Sequence, residues 1–561
     1  MSEFSALPVE IKRCILSELN TNDLKEICNV SKSLCSIATP ILYSTVRLKP
    51  HRTSGIETYQ KDSLFNDERP NPRLGHIRNL QVVPPWTGRG LTSTSVRYID
   101  SHIQPKLKDN RLLSLSLSSA LRSGPDILPF LTRNTQLRAV SLNVPPLSQD
   151  AEWFNYLATN HHGLRTLSLQ FLEILAREED IATLTKLLRQ SKTLHSLDLK
   201  FREPTYQPDP NPTPWASGLE LLDTIFGMAS LRELSLLGNS IPLGYWAEAN
   251  PGKRVGKGLT LFRAEGVDRG ELDGQMCARD DMFWFHSLDI STLKCLSLCL
   301  GVIYTAESNT SQHARYFERN NELRRMLTEC GPLEAFRSCN LPQLTEFNPL
   351  DHCFFRVKDT LRKLRLCCSD WFGMEPFEGY LTHESHSAAE RDIIAELKSL
   401  QILELTVNWL EWHISSESIQ LVYILREPRF DPSAYDSADE DIEDLDAFLR
   451  APARDVFLQV RAQQFAKLTQ QTMLPSLKIV MFGKTNYFRD HCHTMRFDGE
   501  QGDRQEYPVL AYLVEREEDT DLPYGVAEPI TFREMEVQYP WLYNGTWERK
   551  VWDETRNYRF W

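Results

Sequence analysis

No stretch of the 561 residues approaches the roughly 20 consecutive apolar positions that a membrane-spanning helix needs. The opening MSEFSALPVE carries neither a basic leader nor an apolar signal core. Neither membrane insertion nor secretion is therefore expected. Twelve cysteines are spread through the chain without regular pairing, which fits a reducing compartment, cytoplasmic or nuclear. Positive charge is in deficit. Against 76 acidic residues stand 63 Lys and Arg, leaving a net charge of −13 and a pI near 5.6. That balance argues against a general nucleic-acid binder and against an anionic-membrane binder.

Catalytic signatures are equally scarce. PGKRVGKGLT at 251–260 has three residues between its glycines where a phosphate loop needs four, and Gly258 stands where Ser or Thr should follow the lysine. His383-Glu384-Ser385-His386 lacks the i, i+4 histidine spacing of a zinc-protease helix. His491-Cys492-His493 has no companion pair at metal-site spacing. Cys295/Cys299 and Cys367/Cys368 fall in or beside apolar strand patterns and read as small packing residues. No active site, metal site or cofactor is expected.

What the chain has in quantity is a repeat. The pattern L-x-x-L-x-L returns as Ile77/Leu80/Val82, Leu112/Leu115/Leu117, Leu137/Val140/Leu142, Leu164/Leu167/Leu169 and Leu194/Leu197/Leu199. It continues as Leu231/Leu234/Leu236, Leu293/Leu296/Leu298, Leu361/Leu364/Leu366, Leu400/Leu403/Leu405 and Leu477/Val480/Phe482, with degenerate copies near Leu259/Phe262 and Leu333/Phe336. Alternation in the last two apolar positions predicts a short strand with one buried face. Helical periods lie between, as at Ile181, Leu184, Leu187 and Leu188. Each strand-plus-helix unit buries its apolar side only against its neighbours. The pattern resembles a leucine-rich-repeat solenoid of irregular form, which implies parallel strands inside and helices outside. The usual repeat asparagine survives only at Asn239 and Asn408, so the asparagine ladder of that family is in doubt.

The first fifty residues are laid out as three short helices. Pro8 suits a first helical turn, with Glu10 following where the helix dipole favours an anion. Ile11, Ile15, Leu16 and Leu19 recur at helical spacing. Asn20 or Thr21 caps a second helix and Ser31 a third, which Pro40 should end or bend. The run L-P-x-E-I…I-L-x-x-L…D-L…V-S-K…L-Y-x-x-V-x-L over residues 4–48 resembles the F-box of fungal proteins. That resemblance implies docking on the Skp-type adaptor of a cullin–RING ubiquitin ligase. Leu7, Pro8, Ile11, Ile15, Leu16, Leu19, Leu24 and Val30 would form the docking face. The alternative for these helices is a cap over the first repeat.

The expected organisation is α/β: an F-box-like module at 1–49, a linker at 50–73, the solenoid at 74–484 with an acidic loop at 427–446, and an aromatic-rich cap at 485–561. The aromatic tail reads as a lid on the open end of the solenoid, the other reading being a platform for sugars or peptides. Positions between the strand leucines point away from the core, and Ser168, Asp198, Ser235, Arg365 and Glu404 among them are candidate contacts for a target protein. The expected function is a substrate receptor of a ubiquitin ligase, with adaptor, cullin and an unknown target as partners and no nucleic acid or membrane. The alternative is a repeat scaffold without a role in ubiquitin transfer.

Overall fold

A computed structural model describes residues 4, 6–19, 21–48, 51–53, 56–58, 65, 71–82, 98–117, 127–144, 151–171, 178–201, 216–237, 243–265, 287–299, 325–339, 356–367, 396–405, 416–424, 459–460, 462–463, 466, 474–482, 510–515 and 526–545. The acidic loop, the 383–386 and 491–493 histidine clusters, Asn239 and Asn408 lie outside them.

Helices α1 (Val9–Ser17), α2 (Thr21–Val30) and α3 (Lys32–Leu42) open the chain. The Ser31 hydroxyl accepts from the Leu34 N–H at 3.1 Å, capping α3 as its spacing predicts. Pro8 sits at the N-cap of α1 rather than inside its first turn. Pro40 does not end α3, which runs on to Leu42. A proline in the last turn removes a partner only from the Ser36 carbonyl, and the Tyr43 N–H still reaches the Thr39 carbonyl at 3.0 Å.

Strand β1 (Thr45–Leu48) follows at once, then β2 (His51–Thr53) and β3 (Ile56–Thr58). Next come β4 (Asn79–Val82), β5 (Ser114–Leu117), β6 (Ala139–Val144), β7 (Thr166–Phe171), β8 (Ser196–Phe201) and β9 (Glu233–Leu237). Helices α4 (Leu128–Arg133), α5 (Ala151–Asn160), α6 (Glu178–Gln190) and α7 (Ala216–Phe226) precede β6, β7, β8 and β9 in turn. Helix α8 (Leu243–Ala249) leads to β10 (Leu261–Glu265), β11 (Cys295–Cys299), β12 (Ala335–Cys339), β13 (Lys363–Cys367), β14 (Ile402–Leu405), β15 (Leu421–Ile424) and β16 (Ile479–Phe482). The described chain closes with β17 (Leu510–Glu515), β18 (Val526–Ile530), α9 (Phe532–Gln538) and α10 (Pro540–Gly545).

Apart from the β2–β3 hairpin, the strands form one sixteen-stranded sheet in chain order. Pairing is parallel from β1–β4 to β8–β9 and again from β10–β11 to β15–β16, then antiparallel at β16–β17 and β17–β18. The protein is thus α/β with a long, mostly parallel sheet, compatible with a solenoid-like arrangement. By chain contacts it divides into two compact units, one holding α1–α7 and β1–β9, the other α8–α10 and β10–β18.

Register follows the repeat: Leu167 pairs with Leu197 and Leu197 with Leu234 in the first unit, and Leu296, Phe336, Leu364 and Leu403 align in the second. These side chains are buried and make one face of the sheet the core face. At about 1.5–3 kcal/mol for each buried aliphatic side chain, that face is the main stabilising feature. In the first unit Ile181, Leu184, Leu187 and Leu188 of α6 are buried as well. Phe171 and Phe201, register partners at the ends of β7 and β8, stack with centroids 5.0 Å apart.

Each predicted triplet is a strand, and the degenerate copies are β10 and β12. Three features differ from expectation. The sheet begins inside the first fifty residues, because Tyr43/Val46/Leu48 is itself a copy of the pattern and β1 pairs with β4. The linker contains a hairpin, His51–Thr53 with Ile56–Thr58, whose intervening Ser54-Gly55 is a two-residue turn signal. Ile419/Val422/Ile424 forms the unpredicted strand β15.

Several successive repeats are stitched by side-chain hydroxyls. In four repeats the Ser or Thr just before the first apolar residue donates to the carbonyl of the first apolar residue one repeat back. Thr193 bonds Leu164 (2.9 Å), Ser230 bonds Leu194 (2.7 Å), Thr292 bonds Leu259 (2.8 Å) and Thr360 bonds Leu333 (2.9 Å), while Ser418 reaches Leu397, three residues before its counterpart (3.2 Å). Close approach of these turns also explains Gly331, where a β-carbon would collide with the Ser291 carbonyl.

Candidate docking and recognition surfaces

The three N-terminal helices make a small core of their own. Leu16, Leu24, Ile37 and Ala38 are buried in it, with Phe4, Leu19, Ile27, Cys28, Ile41 and Leu42 packed around them. At about 100° per residue, Ile11, Ile15 and Leu16 span an arc of about 140° on α1, with Leu19 just beyond the helix end. Only one side of that arc faces α2 and α3. Leu16 therefore turns inward, while Ile11 (47% exposed) and Ile15 (42%) stay outside, next to the exposed Pro8 and Val9 and the half-buried Leu7. Val30, at the end of α2, is 54% exposed. Each half-exposed isoleucine leaves on the order of 1 kcal/mol of hydrophobic stabilisation unrealised.

The eight residues predicted for docking thus separate. Leu7, Pro8, Ile11, Ile15 and Val30 present surface, Leu19 is half-buried, and Leu16 and Leu24 serve the module's interior. Val9, 48% exposed, belongs to the outer patch, and its place beside Pro8 at the helix start was the available signal.

The sheet face opposite the leucines differs between the units. In the first unit Gln81, Ser116, Ser141, Ser168 and Asp198 lie in register and are partly exposed. The Ser168 hydroxyl donates to Asp198 Oδ2 at 2.8 Å, and the buried Lys200 ammonium lies 3.6 Å from the same oxygen. Ser235, next in register after Asp198, is buried.

In the second unit this face is not open. Ser297, Arg337, Arg365, Glu404, Tyr423, Met481, Ala511 and Ile530 align strand by strand from β11 to β18, and all are buried. Arg365 and Glu404, predicted as target contacts, have no exposed surface and pair with each other, Arg365 Nη1 lying 3.2 Å from Glu404 Oε2. The ion pair lets the two charges be buried together, and the same face carries a cover at β14–β18. There Ile402, Leu421, Tyr423, Ile479, Met481, Ala511 and Ile530 make an apolar surface on which α9 and α10 set Met535 and Leu542. A capping box between Thr531 and Glu534 starts α9 and holds the Glu534 carboxyl below its usual range. Lys478 then reaches over the rings of Tyr539 (5.8 Å) and Trp541 (5.9 Å). The described tail therefore extends the sheet edge through β17 and β18 and covers one sheet face with its helices. Residues beyond 545, with Trp547, Trp552, Tyr558, Phe560 and Trp561, lie outside the described residues.

Among the described residues no cluster of His, Cys, Asp and Glu is built to hold a metal, and no helix is long and apolar enough to cross a membrane. Positive φ at Gly252, Gly256 and Gly258 gives the 251–260 segment a turn-rich backbone ahead of β10. Compared with known proteins, the chain matches no protein-family model and no curated protein.

Proposed function

We propose that this protein is a substrate receptor of a cullin–RING ubiquitin ligase. In this reading the three N-terminal helices are an F-box and the sheet is an irregular leucine-rich-repeat solenoid. Leu7, Pro8, Ile11 and Ile15, with Val9 and Val30, dock on the Skp-type adaptor, while the partly exposed face around Ser168 and Asp198 contributes to holding a target. The observation that carries the reading is the apolar patch left outside a module whose interior is already filled. Ubiquitin transfer then needs no catalytic group in this chain. A target lysine held near a charged conjugating enzyme gains effective concentration from tethering alone.

The test is capture of purified Skp-type adaptor by the full-length protein. Ile11→Asp with Ile15→Asp is expected to reduce recovery at least about tenfold, because two charges would be driven into an apolar interface. Leu7→Ala with Pro8→Ala should weaken it as well. Far-UV circular dichroism should stay unchanged, since these side chains lie outside the module core. Undiminished recovery by both variants would remove the docking mechanism.

A further inference from the structure

In the first unit the residue after the first apolar position of each repeat lands at the N-terminal end of a strand. Backbone bonding puts these residues in strict succession: the Arg165 N–H donates to the Arg138 carbonyl (2.7 Å), His195 to Arg165 (2.8 Å) and Arg232 to His195 (2.8 Å). Arg78 holds this position at β4 and Leu113 at β5; beside Leu113, two residues earlier, Arg111 accepts from Arg78 Nη1 at its carbonyl at 3.3 Å. All but the half-buried Arg78 and Leu113 are exposed. Glu233 follows Arg232 in the chain, and Asp109, two residues before Arg111, is paired with Arg133. Among the described residues Arg138 and Arg165 make no ion pair.

The corresponding edge of the second unit has no such bias. Its series runs Thr260, Lys294, Glu334, Arg362, Gln401, Gln420 and Lys478, and Lys294 pairs with Glu334 at 2.9 Å. A row with four arginines, Arg111 beside it and no acidic member, in a chain of net charge −13, is thus a local property of the first unit.

We propose that Arg78, Arg111, Arg138, Arg165, His195 and Arg232 form a docking surface for an extended acidic peptide segment of a partner protein. At about 4.8 Å between strands the row is about 24 Å long, the span of about seven residues of extended chain. Neighbouring members lie well within a Debye length of about 8 Å at physiological salt, so their fields add while more distant carboxylates are screened. Guanidinium groups match carboxylates bidentately. Two other polyanions fit less well. Single-stranded nucleic acid is held by aromatic rings interleaved with cations, and no Phe, Tyr or Trp stands in the row. A lipid surface would need exposed apolar side chains, and the large ones (Val9, Ile11, Ile15, Val30, Val460, Val537, Trp541) are none of them on this edge. The surface stands independently of the adaptor-docking reading.

The experiment is fluorescence anisotropy of labelled octaglutamate with the full-length protein at low salt. Arg138→Glu with Arg165→Glu is expected to weaken binding at least about tenfold. Arg362→Glu with Lys398→Glu, the same charge change on exposed residues of the second unit, should leave it within about twofold. Arg138→Gln with Arg165→Gln, judged folded by circular dichroism, should reproduce the loss without introducing new charge. Equal loss in both charge-reversed pairs, or no octaglutamate binding by the unsubstituted protein, would overturn the proposal. So would row-dependent binding of oligothymidylate, or of phosphatidylserine/phosphatidylcholine vesicles, that is tighter than that of octaglutamate. Ile11→Asp with Ile15→Asp should keep octaglutamate affinity, which separates failure here from failure of the docking mechanism.

Discussion

His161 follows α5 directly, 1% exposed, with its ring edge-on to Tyr156 at 6.0 Å. Burial pushes its pKa below the ordinary value of about 6.5. The unfolded chain therefore binds the imidazole proton more readily than the folded one. Its contribution to stability is complete above about pH 6.5 and is lost as pH falls towards the lowered folded value. The melting temperature of the native protein should accordingly drop more steeply between about pH 7 and pH 5 than that of His161→Leu. Parallel slopes would show that this ring is not a source of acid sensitivity. Residue-level exposure is where sequence reading was weakest. Ile11 and Leu16 belong to one apolar stripe, and only the angle at which α2 and α3 meet α1 decides that one is outside and the other inside. Arg365 and Glu404 occupy repeat positions that read as solvent-facing. Both are buried and paired with each other, on a face that helices more than a hundred residues further along the chain cover at β14–β18, which no local pattern encodes.

At the scale of elements the strands were legible because a period of two inside a longer repeat is a strong signal, and even divergent copies became β10 and β12. β1 was hidden because its residues also serve the motif of the preceding helices. β15 was hidden because Ile419, Val422 and Ile424 stand where other copies carry leucine. The hydroxyl stitching was equally present in the letters, as Ser or Thr before the first apolar residue, and needed the structure to show what it bonds. Removing such a donor leaves a leucine carbonyl without its partner. Thr292→Val and Thr360→Val, close in shape to the originals, should each lower stability by about 1–2 kcal/mol in urea unfolding. A loss within error in both would mean that water replaces the hydroxyl at no cost.

For the whole molecule, the closing segment is what separates a finite sheet from an open one. β16 reads Ile479-Val480-Met481-Phe482, with every side chain buried, and β17 and β18 occupy its otherwise unpaired edge. Deleting residues 510–561 should expose that edge together with the surface under α9 and α10, and static light scattering should then report self-association. A monodisperse truncated protein would show that the edge needs no cover. In the native chain the outermost strand, β18, carries Glu528 and Pro529, a charge and a residue without an amide hydrogen, both of which discourage further strand addition. The opposite end of the first unit has a mechanical consequence. α3 passes into β1 through Tyr43 and Ser44, the Ser44 carbonyl accepts the N–H groups of both Arg78 and Asn79, and Tyr43 holds Arg73 through its hydroxyl and its ring. No hinge intervenes, so the outer surface of α1 and the arginine row are mounted on a common beam: whatever grips one end fixes the bearing and reach of whatever hangs from the other.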